Sequence, residues 1–396
     1  MKKQLFLSIF LLFSGLAFAD YEYPYNTSPM ELVFDTRLHY EKKITLPLFG
    51  TVDVIVDWGD GAEIYINTPG YHARTYSKDT IYTIKIRGKL SEFGKDGVKQ
   101  FTLVKVNSFG DLGITHLDYA FYNAKNLVDV PSDLPSTVTS LEGTFREAEK
   151  FNQNIDSWDV SKVTNMKATF SYALTFNRSL SSWDLTGVTN TGAMFQFATS
   201  FNQPIGNWEM GSVSNSSQMF QGAESFNQDI SQWDMRNVER MDYMFQKAKA
   251  FNQPIGDWIV SNVESMSEMF NGAEAFNQPI GDWNVANVEY MSKLFRGAKN
   301  FNQPIGDWQV ANVIYMDEMF YGATAFNQDI GNWSTESAES MNDMFADAVT
   351  FNQPIGGWDV SKVRRMSRMF QNAVEFSQDI SDWNIKEVRE MDDMFD

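Results

Sequence analysis

The side chains able to do chemistry are unevenly supplied. The 396 residues include 51 aspartates and glutamates, 32 lysines and arginines, three histidines (His39, His72 and His116) and no cysteine. Without thiols there is no disulfide framework, zinc–thiolate or iron–sulfur site, thiol nucleophile or lipid-anchored cysteine. Three scattered histidines leave little for imidazole catalysis or a histidine metal cluster. Paired carboxylates could act as acid and base, as in a glycosidase, which needs two at a set separation in a cleft. No Gly-x-Ser-x-Gly, His-Glu-x-x-His, phosphate loop or dinucleotide fingerprint occurs. The nonapeptide calcium pattern of β-rolls is absent too, and diffuse calcium binding to the acidic surface stays open. Asp57 and Asp60 could hold a metal, but in a Gly-rich segment such side chains more often bond their own backbone in a turn. A net charge of −19 argues against a phosphate-binding surface and so against nucleic acid. The expectation is no catalytic residue, no cofactor and no metal ligand.

The elements that must position any site are set by a repeat. Phe-Asn-Gln or a near copy recurs every 25 residues from Phe151 to Phe376. Tryptophan keeps the same beat at Trp158, Trp183, Trp208, Trp233, Trp258, Trp283, Trp308, Trp333, Trp358 and Trp383, and a second phenylalanine column runs from Phe145 to Phe395. A fixed period of this length signals a solenoid. In the unit starting at Phe251, Met266, Met269, Phe270 and Ala273 are spaced as one face of a short helix, which Asn262 would cap. Trp258 and Val260 alternate as a short strand, and Pro254 and Gly256 mark the turn before it. The fold expected is an α/β repeat solenoid, one short strand and one short helix per unit, with the tryptophans as a scaffold ladder. The asparagine column, such as Asn252 and Asn277, would satisfy turn backbone groups of neighbouring units.

Four segments follow from this reading. Residues 1–19 carry Lys2 and Lys3, an apolar run and Ala17-Phe18-Ala19, the pattern of a secretory signal peptide. Residues 20–100 contain alternating stretches at 51–57 and 80–86 with Gly/Asp turns, which suit an all-β sandwich. Residues 101–150 hold degenerate capping repeats, where Leu117, Phe121, Ala124 and Leu127 recur as Leu141, Phe145, Ala148 and Phe151. Residues 151–396 hold ten repeats, the last incomplete. No apolar run in the mature chain is long enough for a membrane span.

The stretches Phe-Asn-Gln-Pro-Ile-Gly-Asp-Trp (251–258), Trp-Asp-Val-Ser-Lys-Val (358–363) and Met269 to Ala273 resemble the BspA-type surface proteins. That leucine-rich-repeat-like family is also described from mycoplasma repeat proteins. Trp-Gly-Asp-Gly (58–61) with residues 75–86 resembles a PKD-type immunoglobulin-like domain. The resemblance implies export, a cell-surface location and binding roles such as adhesion, and no enzyme activity. The chain has no lipobox cysteine and no C-terminal sorting motif.

Positions that vary between units are where a partner would be recognised. They include Asp234, Arg236, Glu239 and Arg240 in one unit, and Glu289, Tyr290, Gln309, Ile314 and Tyr315 further on. Tyr290 and Tyr315, one unit apart, with Glu289 and Gln309, are the candidate contact patch for a protein or glycan partner. Lys293, Arg296 and Lys299, and Arg364, Arg365 and Arg368, are expected to pair with acids of adjacent units. The function expected is display of a binding face by an exported, non-catalytic protein. A passive spacer in the cell envelope is the rival, and a glycosidase a distant one.

Overall fold

The computed structural model describes residues 27–396; the expected signal peptide lies outside them. Six strands come first: β1 (Met30–Asp35), β2 (Lys43–Asp57), β3 (Glu63–Ile66), β4 (Gly70–Thr75), β5 (Ile81–Phe93) and β6 (Leu103–Ser108). They form one antiparallel sheet in the order β3-β2-β5-β1-β6, in place of the expected sandwich of sheets. β2 is long enough to serve two partners, β4 along its first half and β3 along its second. Its apolar residues alternate, so Ile44, Leu46, Leu48, Val52, Val54 and Val56 all reach the core. A register shift between Phe49 and Val52 bends the strand between those halves. The Asp57–Asp60 segment is a turn: Gly59 donates to the Asp57 carboxylate at 2.9 Å and Ala62 to that of Asp60 at 3.2 Å. Asp60 also pairs with Arg74 at 2.6 Å.

The repeats are coils stacked directly on this sheet. Glu92 of β5 bridges in parallel to His116, and the chain of single bridges continues through Ser140 and Asn165 to Arg365 and Glu390. The apolar core is continuous from the sheet into the coils.

The expected helix does not form. Met266, Glu268, Phe270 and Gly272 instead donate their N–H groups to the next coil, at the carbonyls of Tyr290, Ser292, Leu294 and Arg296, over 2.7–3.0 Å. The residues between them, Met269, Asn271 and Ala273, bond back three positions within the coil. This ribbon of turns requires a left-handed backbone at two positions per unit, Glu268 (φ 59°) and Gly272 (φ 71°) in this one. A right-handed helix tolerates neither. The spacing of Met266, Met269, Phe270 and Ala273 suits both structures, because each puts those side chains inward, where all four are fully buried. The expected α/β architecture is corrected accordingly: the described residues hold strands, turns and one short 3-10 helix, Thr36–Leu38. Nor is there a strand at Trp258 and Val260; the parallel bridge falls at Ser265. Asn262 does not cap a helix but donates its amide to the Arg236 carbonyl of the preceding coil at 2.7 Å.

Three ladders join the coils. Equivalent phenylalanines stack, as Phe245 on Phe270 at 5.8 Å and Phe251 on Phe276 at 6.0 Å. Each of the ten tryptophans gives its indole N–H to a carbonyl of the preceding coil, at 3.0–3.1 Å. This makes the column specific for tryptophan: the indole fills the core and its one donor is satisfied there. Each asparagine side chain in turn accepts from the next coil. The Asn252 Oδ1 takes the backbone N–H of Asn277 and the amide of Gln278, both at 2.9 Å.

Candidate interaction face

Between buried Val263 and buried Met266, residues 264 and 265 have nowhere to point but outward. The same two positions recur in every coil and form a double strip along the bridge side, outward except at Ser140 and Ser340, which are buried. Backbone bonds fix its pitch at one coil, with Glu264 donating to Glu239 at 2.9 Å and Glu289 to Glu264 at 3.0 Å. The chemistry changes along the strip. Early coils show hydroxyls and amides (Thr164, Asn165, Thr189, Asn190); middle coils show Glu239, Glu264, Glu289, Tyr290 and Tyr315. The late coils show Arg364, Arg365 and Arg389.

Several basic side chains of the coils pair with acids of an adjacent coil. Lys249 pairs with Glu224 at 2.9 Å, Lys299 with Glu274 at 3.2 Å and Arg368 with Asp343 at 2.7 Å, each one coil back. Lys293 reaches Glu318 at 3.4 Å, and Arg364 reaches Glu339 at 3.1 Å. The basic clusters are thus largely matched within the stack, Arg365 excepted. Among the described residues, Glu239, Glu264 and Glu289 form no ion pair, and neither does a second acidic column, Asp257, Asp282 and Asp307, on another face.

Beside those acids, Tyr290 and Tyr315 stack with ring centres 6.0 Å apart and planes inclined by 23°. Tyr290 is 40% exposed, Tyr315 is half-buried and Glu289 is exposed. Tyr290 also borders a groove of about 380 Å³, lined further by Arg240, Asp242, Tyr243, Glu264 and Ser265. Asp242 is held in its wall, accepting from Arg240 Nε at 3.0 Å and from the Ser265 hydroxyl. Burial, then Glu268 and Asp242, hold the Tyr243 phenol above its ordinary range, so it stays a neutral hydroxyl at physiological pH. Of the four expected contact residues, Glu289, Tyr290 and Tyr315 fall together on this strip. Gln309 is exposed one residue after Trp308, in a separate column six positions before Tyr315. Glu264, Asp242 and Tyr243 escape a reading of single units. Aligning the chain at intervals of 25 would have placed Glu264 between Glu239 and Glu289.

The arrangement can offer aromatic surface, carboxylates and hydroxyls to a partner. Among the described residues, no three histidines, aspartates or glutamates are grouped to hold a metal ion. A second cleft, of about 730 Å³, lies where the sheet meets the first coils, lined in part by Ser108, Asp111, Pro131, Asp133 and Thr137.

A family described as Mycoplasma protein of unknown function, DUF285, matches residues 115–233, 222–317 and 300–396, which together cover the whole coil stack. The chain belongs to the DUF285 family. These matches begin where the coils begin and leave the sheet outside. The BspA-type and PKD-like likenesses are not part of them. No curated protein matches. Among solved structures, one described as the crystal structure of a TLR13–ssRNA13 complex is similar at 11% identity, over 67% of this chain and 37% of that one, with a TM-score of 0.28. The chain thus spans little more than a third of that protein, and so loose a likeness decides neither fold nor function. No helix of the described residues is long and apolar enough to cross a membrane.

Proposed function

We propose that this DUF285 protein is an exported, non-catalytic interaction protein that presents the bridge-side strip to a protein or glycan partner at the cell surface. The observation that carries the reading is the pair of stacked, accessible tyrosines, Tyr290 and Tyr315, set beside a column of glutamates that form no ion pair among the described residues. Like charges one coil apart repel, so such a column adds nothing to stability and suits a partner that supplies the counter-charge. Tyrosines on a rigid backbone give contact area at little entropic cost. Coils identical in backbone but different in outward residues allow this without disturbing the core. Faces whose charges pair between coils, such as Lys249–Glu224 and Lys299–Glu274, suit the rival reading, a passive spacer.

The test is an array of extracellular proteins and glycans probed with the intact chain and with the double variant Tyr290→Ala/Tyr315→Ala. The reading expects a ligand bound by the first and weakened at least about tenfold in the second, as for loss of a central aromatic contact. No ligand at micromolar concentration, or equal binding by both, leaves the spacer.

A further inference from the structure

The strip is not only acidic in its middle coils; its late coils are basic, and the two halves match each other in reverse order. Take the coil of Ile314 and Tyr315 as centre. Counting outward by coils, Glu239 lies three before and Arg389 three after, while Glu264 lies two before and Arg364 two after. In the adjacent column, Arg240 lies three before and Glu390 three after. All six side chains are exposed. A two-fold axis across the strip at this coil sends each position to its counterpart and keeps the columns apart. Glu239 then meets Arg389, Arg240 meets Glu390 and Glu264 meets Arg364 of a second copy, each contact made twice. Tyr315 meets its own equivalent, and Ile314 does the same.

We propose that this strip joins two copies of the chain, antiparallel, about a two-fold axis at Tyr315. The inference rests on reading the strip as an interaction face, and it names the occupant. Three features of the structure favour it. This register makes three opposite-charge matches; a shift by one coil keeps two, Glu264 with Arg389 and Glu289 with Arg364, and a parallel arrangement keeps two, Glu239 with Arg240 and Arg389 with Glu390, while setting Arg364 against Arg365. Arg389, Glu390, Glu239 and Glu264 have no ion-pair partner within the described chain, while Arg240 and Arg364 would share themselves between Asp242 and Glu339 of their own chain and the second copy. The strip is continuous, since one parallel bridge per coil links Arg240, Ser265, Tyr290, Tyr315, Ser340, Arg365 and Glu390. One match is unfavourable: Glu289 faces Glu339, which Arg364 already neutralises at 3.1 Å. Six coil steps extend on the order of 30 Å, and a strip two side chains wide covers less than the ~800 Å² per partner of a standard interface. The dimer is accordingly weak, governed by charge and sensitive to salt, and its two β-sheets lie at opposite ends.

The experiment is sedimentation equilibrium of the full chain at low and high salt, with two charge-reversed variants. Glu239→Arg/Glu264→Arg makes the strip basic at both ends; Arg364→Glu/Arg389→Glu makes it acidic at both ends. The wild type is expected to dimerise at low salt, with a dissociation constant rising on the order of tenfold between about 0.05 and 0.5 M salt. Each variant alone is expected to be monomeric, with an unchanged circular-dichroism spectrum, and their mixture to form a heterodimer. A wild type that stays monomeric at low salt and high concentration overturns the proposal, as does a mixture that does not associate. Should the chain be monomeric yet still bind an array ligand through Tyr290 and Tyr315, the dimer is lost and the interaction face stands. Should it dimerise as described and bind no array ligand, the two-fold contact stands and the outside partner is lost.

Discussion

Asn277 shows at the scale of one residue how the coils are joined. Its Oδ1 accepts the backbone N–H of Asn302 at 2.9 Å and the Gln303 amide at 3.0 Å. Asn277→Ala leaves the Asn302 N–H unpaired, while the Gln303 amide keeps the Asn277 carbonyl at 3.2 Å, and is expected to cost about 1–3 kcal/mol. Asn277→Asp keeps the acceptor and is expected to cost much less; urea denaturation of the two variants distinguishes a hydrogen-bond role from simple packing. A second group of residues contributes to the acid dependence. Asp159, Asp184 and Asp359 are held below the ordinary carboxylate range by the hydroxyl two residues on, and then by that residue's backbone N–H. A carboxyl lowered in the folded state binds its proton less well than in the unfolded chain. Its contribution is present above about pH 4 and disappears as pH falls through the lowered value. The urea midpoint should fall below about pH 4, and less steeply in Asp159→Asn/Asp184→Asn/Asp359→Asn. The bonding of the asparagine column was legible in the sequence, because an amide repeated in register can only meet its neighbours. The tryptophan donor was not, since a column of indoles shows packing but not which carbonyl lies 28 residues earlier.

The turn ribbon is the element that sequence patterning misread. An apolar i, i+3, i+4, i+7 spacing reports which side chains share a face, not whether the intervening N–H groups bond within the coil or to the next one. The contrary signal was glycine at 222, 272, 297 and 322, inside the supposed helix, where each has a positive φ of 63–71°. Lys247 occupies the same column with φ 57° and is exposed. Lys247→Gly therefore has opposite signs in the two structures. In a helix interior it would lose about 1 kcal/mol. In the ribbon it relieves a left-handed backbone that costs roughly 1–2 kcal/mol, so stability should hold or rise by up to about 1 kcal/mol after the glycine's own entropy. Chemical denaturation gives the sign directly. Far-UV circular dichroism of the native chain should also lack the paired minima of a helix.

For the whole molecule, the 25-residue period establishes that units stack, and stacking makes stability a sum over neighbours. Removing residues 176–200 takes out one unit in register and is expected to leave a cooperatively folded chain with a slightly lower Tm. Removing only 176–187 puts tryptophan opposite the wrong carbonyl and should prevent folding of the coils beyond it. The sequence carried this architecture in its columns, and carried Tyr290, Tyr315 and Glu289 as variable positions. It could not show that these lie on the bridge side with Glu264, because which residues bridge depends on how the coil closes. The central claim is that the strip with the two stacked tyrosines does the binding. Its most direct test is the protein and glycan array read with three chains: wild type, Tyr290→Ala/Tyr315→Ala, and a control altered in the column after the tryptophans, Ile259→Ser/Asn284→Ala. The account expects a ligand that the strip variant loses and the control keeps; a ligand lost by the control and kept by the strip variant contradicts it.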